Sequence, residues 1–197
     1  MGVMPDSEPG PGLRERKKIR TRETLRREAL RLIAEQGFAA TTIEQIAAAS
    51  EVSPSTFFRY FPNKSALLVP DQLMDPIIDV FLQAPAELSP IAAYRYAVEQ
   101  VFGQFSDPEW AEEAGRQALM YTLPEAAGPL YRQYIFTIGR ITEALAVRLS
   151  RPADDPELRI AAGAMTGVMM QALHGTPMQP EMIYRALDFL DAGLPLI

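Results

Sequence analysis

Residues 37–68 read GFAATTIEQIAAASEVSPSTFFRYFPNKSALL, and within them four aromatics (Phe57, Phe58, Tyr60 and Phe61) occupy five positions with Arg59 among them. Such a cluster is either a hydrophobic plug for a core or a short helix with two different faces. At about 100° per residue, Pro54, Phe57, Phe58 and Phe61 fall on one side, and Ser55, Thr56, Arg59 and Tyr60 on the other. The plug and a polar, cationic surface are therefore expected on opposite faces of one helix. Ser53 ahead of Pro54 marks its start, since serine caps and proline at the first helical position lacks only an N–H that has no intrahelical partner. Upstream, Thr41 with Glu44 and Thr42 with Gln45 both have capping-box spacing, so a second helix begins here in a register ambiguous by one residue. Ile43, Ile46 and Ala47 form its inner face, and Glu51-Val52-Ser53 joins the two. A preceding helix is expected from about Thr21 to Gln36, with Leu25, Ala29, Leu32 and Ile33 on one face and Gly37 as a left-handed stop.

The 197-residue chain has ordinary globular proportions, 48% apolar and 22% charged. It has no cysteine, which excludes disulfides and thiolate metal sites, and its one histidine makes a zinc site improbable. No signal-length apolar core opens the sequence and no run is long enough to span a bilayer, so a cytoplasmic protein without membrane contact is expected. The net charge of −6 argues against a nucleic-acid partner, but the average conceals a segregation. Residues 13–64 carry 11 Lys/Arg against 6 acids, a local +5, and leave −11 for the remainder. A polyanion-binding head on an acidic body has this asymmetry; so does a solvated, charge-laced helix surface.

Two helices joined by a tight turn, the second short and polar outside, describe a helix-turn-helix, whose second helix enters the DNA major groove. The string resembles the DNA-binding domain of the TetR family of bacterial transcriptional regulators. Its motif positions are Gly37-Phe38, Thr41-Thr42, Ile46-Ala47, Val52-Ser53, Thr56-x-Phe58-x-Tyr60-Phe61 and Lys64-x-x-Leu67-Leu68. The resemblance is close over about residues 20–68 and architectural beyond. It implies DNA contacts from Thr41, Thr42, Ser53, Ser55, Thr56, Arg59, Tyr60 and Lys64. Hydroxyls and free N–H groups at a helix start suit phosphate oxygens. Lys64 is a point charge for the backbone, and Arg59 is either a guanine reader or a phosphate or solvent contact.

Two features depart from the family pattern. Glu51 stands where glycine is usual, which strains the turn if φ is positive. Pro70 and Pro76 predict a helix break near residues 69–76. The basic segment RERKKIRTR (14–22) reads as an arm along the DNA backbone or a frayed end.

The expected fold is all-α, in three parts: a mobile tail (1–12), a three-helix helix-turn-helix domain (13–68) and a helical effector-binding and dimerisation domain (69–197). Ser53-Pro54, Ser89-Pro90, Asp107-Pro108, Asp155-Pro156 and the weaker Gln179-Pro180 punctuate helices near 76–83, 90–105, 108–121, 124–150, 156–174 and 180–192. The resemblance implies a homodimer formed through the last two long helices. Gly163 and Gly167, four apart inside a helix, fit close approach of a second helix. Met182, Ile183, Ala186, Leu187 and Leu190 supply an apolar stripe beside them. Candidate contacts for a small apolar or aromatic effector are Phe102, Phe105, Trp110, Tyr121, Tyr131, Tyr134, Met165, Met169 and His174. Arg116 and Arg140 could pair with a carboxylate effector but are expected at the surface.

Nothing in the sequence nominates an enzyme: no nucleophile, no clustered acid pair and no phosphate-binding glycine loop stands out. No cofactor or metal is expected. The function expected is a repressor of a pseudo-palindromic operator on double-stranded DNA, released by its effector. A constitutive or protein-controlled DNA-binding regulator is the alternative.

Overall fold

The computed structural model describes residues 12–69, 73–174 and 179–195. Among them there is no strand. The tail and Pro70 of the sequence expectations lie outside the described residues, apart from Gly12. By its internal contacts the chain divides into two compact units, which meet in sequence between Leu67 and Leu68.

The first unit contains α1 (Leu13–Gln36), α2 (Ile43–Ala49) and α3 (Pro54–Tyr60). A 3-10 turn starts at Lys64 and runs to Leu68. Helix α1 begins eight residues earlier than expected, so the basic segment is helical rather than a separate arm. The reason is local: from Leu13 to Gln36 there is neither glycine nor proline, and Arg, Lys, Glu and Leu are strong helix formers. Gly37 ends α1 with φ +85° and ψ 159°. That is positive-φ backbone of the extended kind, accessible to glycine, and not the left-handed helical stop. Leu25 and Ala29 of α1, Ile46 of α2, Phe57 of α3, then Phe61 and Leu67 make one small buried core.

The capping-box ambiguity of α2 resolves toward Thr42. Its N–H donates to Gln45 Oε1 at 2.8 Å, and the Gln45 N–H donates back to Thr42 Oγ1 at 3.2 Å. The helix closes in a Schellman motif, with the Val52 N–H on Ala47 O (2.9 Å) and the Glu51 N–H on Ala48 O (3.1 Å). Glu51 takes the left-handed position of that motif, φ +55°.

The second unit holds α4 (Met74–Gln83), α5 (Pro90–Phe102), α6 (Asp107–Thr122), a 3-10 turn (Pro124–Ala126), α7 (Ala127–Leu149), α8 (Pro156–Leu173) and α9 (Pro180–Asp191). Ser89 and Asp155 cap as their proline dipeptides predict, accepting from Ala92 N at 3.0 Å and Glu157 N at 3.0 Å. Gln179 makes no side-chain cap. Helix α6 begins one residue early: Ser106 is the cap, its N–H and hydroxyl both on the Glu109 carboxylate, because serine three residues before glutamate offers a better box than Asp107. Pro76 does not break α4. It is the third helical residue, within the first turn, where N–H groups have no intrahelical acceptor. The core of this unit runs through Phe81, Tyr94, Val98, Ile141, Leu145 and Met165.

Candidate nucleic-acid interface and effector cavity

Helix α3 has seven residues and can anchor little, so its anchoring depends on two rings one turn apart. Phe57 and Phe61 are buried, with centroids 5.8 Å apart. Phe58 and Pro54 are not part of the plug. Phe58 is 55% exposed and meets Phe57 edge-on at 5.5 Å. A further 100° of rotation from Phe57 carries it outside, whereas Phe61, four residues on, returns to within about 40° of Phe57, at the residue where the helix ends (φ −135°, ψ 124°).

The start of α3 gathers hydroxyls. Ser53 Oγ accepts from the Thr56 N–H at 3.2 Å, and lies 2.8 Å from Ser55 Oγ and 3.0 Å from Thr56 Oγ1. Ser55 and Arg59 are exposed, and Thr56 and Tyr60 half-buried. Arg59 extends along the Tyr60 ring, its guanidinium carbon 5.1 Å from the centroid.

Two of the residues implied by resemblance are engaged within the protein. Thr41 is buried, its hydroxyl donating to Gly37 O at 2.9 Å, so Thr42 is the one of the pair at the surface. The Lys64 ammonium donates to Thr41 O at 2.6 Å and to Phe38 O, and sits 4.1 Å from the centre of the Phe38 ring. It closes the α1–α2 connection, and one N–H of three remains beyond those bonds.

The basic count of the head also divides. Arg22 donates to Tyr60 O at 2.9 Å with its guanidinium 4.5 Å from the Phe61 centroid, and burial lowers its pKa. Arg26, one turn on, donates to Leu67 O at 3.2 Å. Sequence reasoning took both as charge for a polyanion. The missed signal was their spacing of four, which sets both on the stripe of α1 that faces α3. Arg31 is paired with Glu28 (3.0 Å) and Glu35 (2.9 Å).

In the second unit the candidate effector contacts separate into core and cavity. Phe102, Phe105 and Trp110 pack on one another, centroids 5.3–5.7 Å apart. Met165 is fully buried and Met169 packs against the same core. None of these five lines the cavity of about 490 Å³ that opens where α6, α7 and α8 meet; Tyr121, Tyr131, Tyr134 and His174 do, with Met120 and Met170. The Tyr121 and Tyr134 hydroxyls are 2.8 Å apart, and the His174 ring stands edge-on to Tyr121 at 4.8 Å. Tyr131 is at the mouth, 66% exposed.

Arg116 corrects the expectation of exposure. It is buried, with Nε on Glu113 Oε2 at 2.7 Å, a second guanidinium nitrogen also on Glu113, and the third on Leu68 O at 2.6 Å. Arg140 is held by Asp75 at 2.7 Å.

The stripe on α9 divides similarly. Ile183 and Leu187 are fully buried and belong to the core of the second unit, and Leu190 and Ala186 pack against it, while Met182 is 40% exposed. Met182 shares its outward side with Arg185 and Phe189, which border a cleft of about 810 Å³ with Val168 and Leu194. A Cβ built on Gly163 or Gly167 meets no atom within 4 Å, so neither glycine makes room for another part of the same chain.

Comparison with known proteins follows this division. The model of the "Bacterial regulatory proteins, tetR family" matches residues 25–69, and that of the "MftR C-terminal domain" matches residues 88–195. The transcriptional regulator TcmR of Streptomyces glaucescens is 39% identical over 153 residues, covering 74% of this chain and 68% of its own. The chain belongs to the TetR family. As a TetR-family protein it is a helix-turn-helix, DNA-binding transcriptional regulator. The regulator BetI of Rhizobium meliloti is 30% identical over 184 residues, covering 88% of this chain and 89% of its own. The fold is shared with SmeT, repressor of the Stenotrophomonas maltophilia multidrug efflux pump SmeDEF. At 22% identity the TM-score is 0.56 over 87% of this chain and 89% of SmeT. No helix among the described residues is long and apolar enough to cross a membrane.

Proposed function

We propose that this TetR-family regulator is a homodimeric repressor. It binds a pseudo-palindromic operator through α3 and leaves it when a small aromatic molecule enters the cavity between α6, α7 and α8. The observation that carries the reading is the two-sided recognition helix. Phe57 and Phe61 fix one side, while Ser55, Thr56 and Arg59 on the other offer hydroxyl and guanidinium donors at the surface. Residues 13–68 act as the DNA head, with Thr42, Ser53, Ser55 and Thr56 on phosphate, Arg59 and Tyr60 on base edges, and Lys64 supporting the turn. Residues 69–197 hold the effector and the dimer contact. For that contact the open glycine edge of α8 (Gly163, Gly167) and the outward apolar residues of α9 (Met182, Phe189) support the α8–α9 face, and a second copy would fill the cleft there. SmeT, of the same fold, has been solved in complex with triclosan, which supports a small-molecule site in the helical domain. Effector binding would favour a dimer whose recognition helices are wrongly spaced for adjacent half-sites, releasing DNA by population shift.

The test is selection of bound duplexes from a random pool by the full chain, with mass measurement of the protein alone and on DNA. Two half-sites related by dyad symmetry, one helical turn apart, and two chains per duplex are expected. Enrichment of an asymmetric site by a single chain would overturn the reading.

A further inference from the structure

The lining of the α6–α7–α8 cavity constrains the chemistry of its occupant more narrowly than its size does. Among the described residues that line the cavity there is no Lys, Arg, Asp or Glu. The Arg116 guanidinium, one turn from Met120, is already engaged: the Glu113 carboxylate takes two of its nitrogens, and Leu68 O and Met120 Sδ (3.8 Å) take the third. A charged ligand would therefore lose its hydration with no Lys or Arg among those lining residues to replace it.

The polar groups facing the cavity are the His174 imidazole, the Thr122 and Tyr131 hydroxyls and, bonded to each other across α6 and α7, the Tyr121–Tyr134 hydroxyl pair. Burial pushes the pKa of both phenols up, so both carry their protons at neutral pH. Two neutral hydroxyls hold two protons, and a single bond between them engages one. The second proton, and lone pairs on both oxygens, have no other hydrogen-bond partner among the described residues. Around the pair are flat or flexible surfaces, with His174 and Tyr131 as rings and Met120 and Met170 as adaptable thioethers.

We infer that the cavity selects uncharged aromatic molecules bearing a hydrogen-bonding oxygen, which the Tyr121–Tyr134 pair recognises. This rests on the cavity's being the effector site and adds the ligand class to it. A phenol or aryl ketone would complete the unused donor. A bare hydrocarbon would leave a buried hydroxyl short of a partner. An aryl carboxylate of the same shape would bring a charge into a site with no Lys or Arg among the described residues that line it.

The experiment compares three molecules of one shape, 2-naphthol, naphthalene and 2-naphthoate, by ligand-observed NMR titration of the full chain at pH 7.5. We expect 2-naphthol to bind about fivefold tighter than naphthalene, the worth of one neutral hydrogen bond. Binding of 2-naphthoate should be at least about tenfold weaker than that of 2-naphthol. In the double variant Tyr121→Phe/Tyr134→Phe the advantage of 2-naphthol over naphthalene should vanish, a ratio that a general loss of packing would leave in place. Met170→Trp, or Leu130→Trp should the first variant misfold, fills the cavity and should abolish all binding. Binding that survives filling, or no binding of any of the three, overturns the site itself. Binding lost on filling, together with 2-naphthoate as tight as 2-naphthol or a naphthol preference persisting in the double phenylalanine variant, keeps the site and overturns the ligand class.

Discussion

Phe57 and Phe61 in the head and Tyr121 and Tyr134 in the helical body are both aromatic pairs, yet they answer to different constraints. The head pair has no surface to spare. Its helix has seven residues, of which Phe57 is the buried one, and Phe61 is buried just beyond its end. The body pair sits on helices of 16 and 23 residues whose cores are filled elsewhere. Its rings are therefore free to border a cavity and to bond through their hydroxyls. Where an element is small, its hold rests on the one or two rings that reach the core, and Phe58 is left outside; where it is long, some aromatics are released for recognition.

Truncation is the hardest test of this contrast. Phe57→Ala should destabilise the protein by about 3–5 kcal/mol, the usual range for a buried phenylalanine. Tyr134→Phe should change stability by about 1 kcal/mol or less, since the ring stays and one neutral hydrogen bond is lost. Urea denaturation followed by far-ultraviolet circular dichroism measures both. Equal losses would remove the distinction between anchor and cavity wall.

The same contrast explains what could be read from the sequence. In the head, residue type and spacing nearly suffice: the Thr42 box, the Ser53 cap and the Phe57–Phe61 anchor follow from neighbours in the chain. The failures there are of angular resolution. Phe58 is one step from Phe57, and a covering strip too narrow for both is a property of α1 and α2, invisible in α3. Thr41 and Thr42 have equivalent spacing, and only the approach of Gly37 O decides which hydroxyl turns inward. In the body the helices were legible from proline and capping residues, but the cavity was not. Trp110 and Tyr121 are eleven residues apart on α6. One closes an aromatic cluster and the other opens on a void, a difference set by which helices approach each end.

Cations sharpen the comparison at smaller energies. Lys64→Met leaves the Phe38 and Thr41 carbonyls without a charged donor and should destabilise the head by about 1.5–3 kcal/mol. If its role is confined to closing the turn, the slope of log affinity against log salt stays unchanged; a phosphate contact would reduce that slope by about 0.9. Arg59→Ala should leave folding intact, since the side chain is exposed. Its expected cost is about 1–3 kcal/mol in DNA affinity, concentrated at one operator position if the guanidinium reads a base. Binding to a panel of single-base operator variants separates that outcome from a uniform loss, which would place Arg59 on phosphate.

The smallest effect concerns the turn between the two helices of the motif. Glu51 is in the left-handed region, at the position of a Schellman motif that glycine favours, and both hydrogen bonds of the motif are nevertheless made. The backbone keeps its shape and carries the steric penalty of a Cβ there, about 1–2 kcal/mol. Glycine removes that penalty but adds freedom to the unfolded chain, which returns part of the gain. Glu51→Gly should therefore stabilise the protein by about 0.5–1 kcal/mol in thermal denaturation. It should also strengthen DNA binding slightly at low salt, because a carboxylate is removed from beside the recognition helix. Destabilisation on substitution would mean that the Glu51 side chain contributes more to this turn than its backbone conformation takes away.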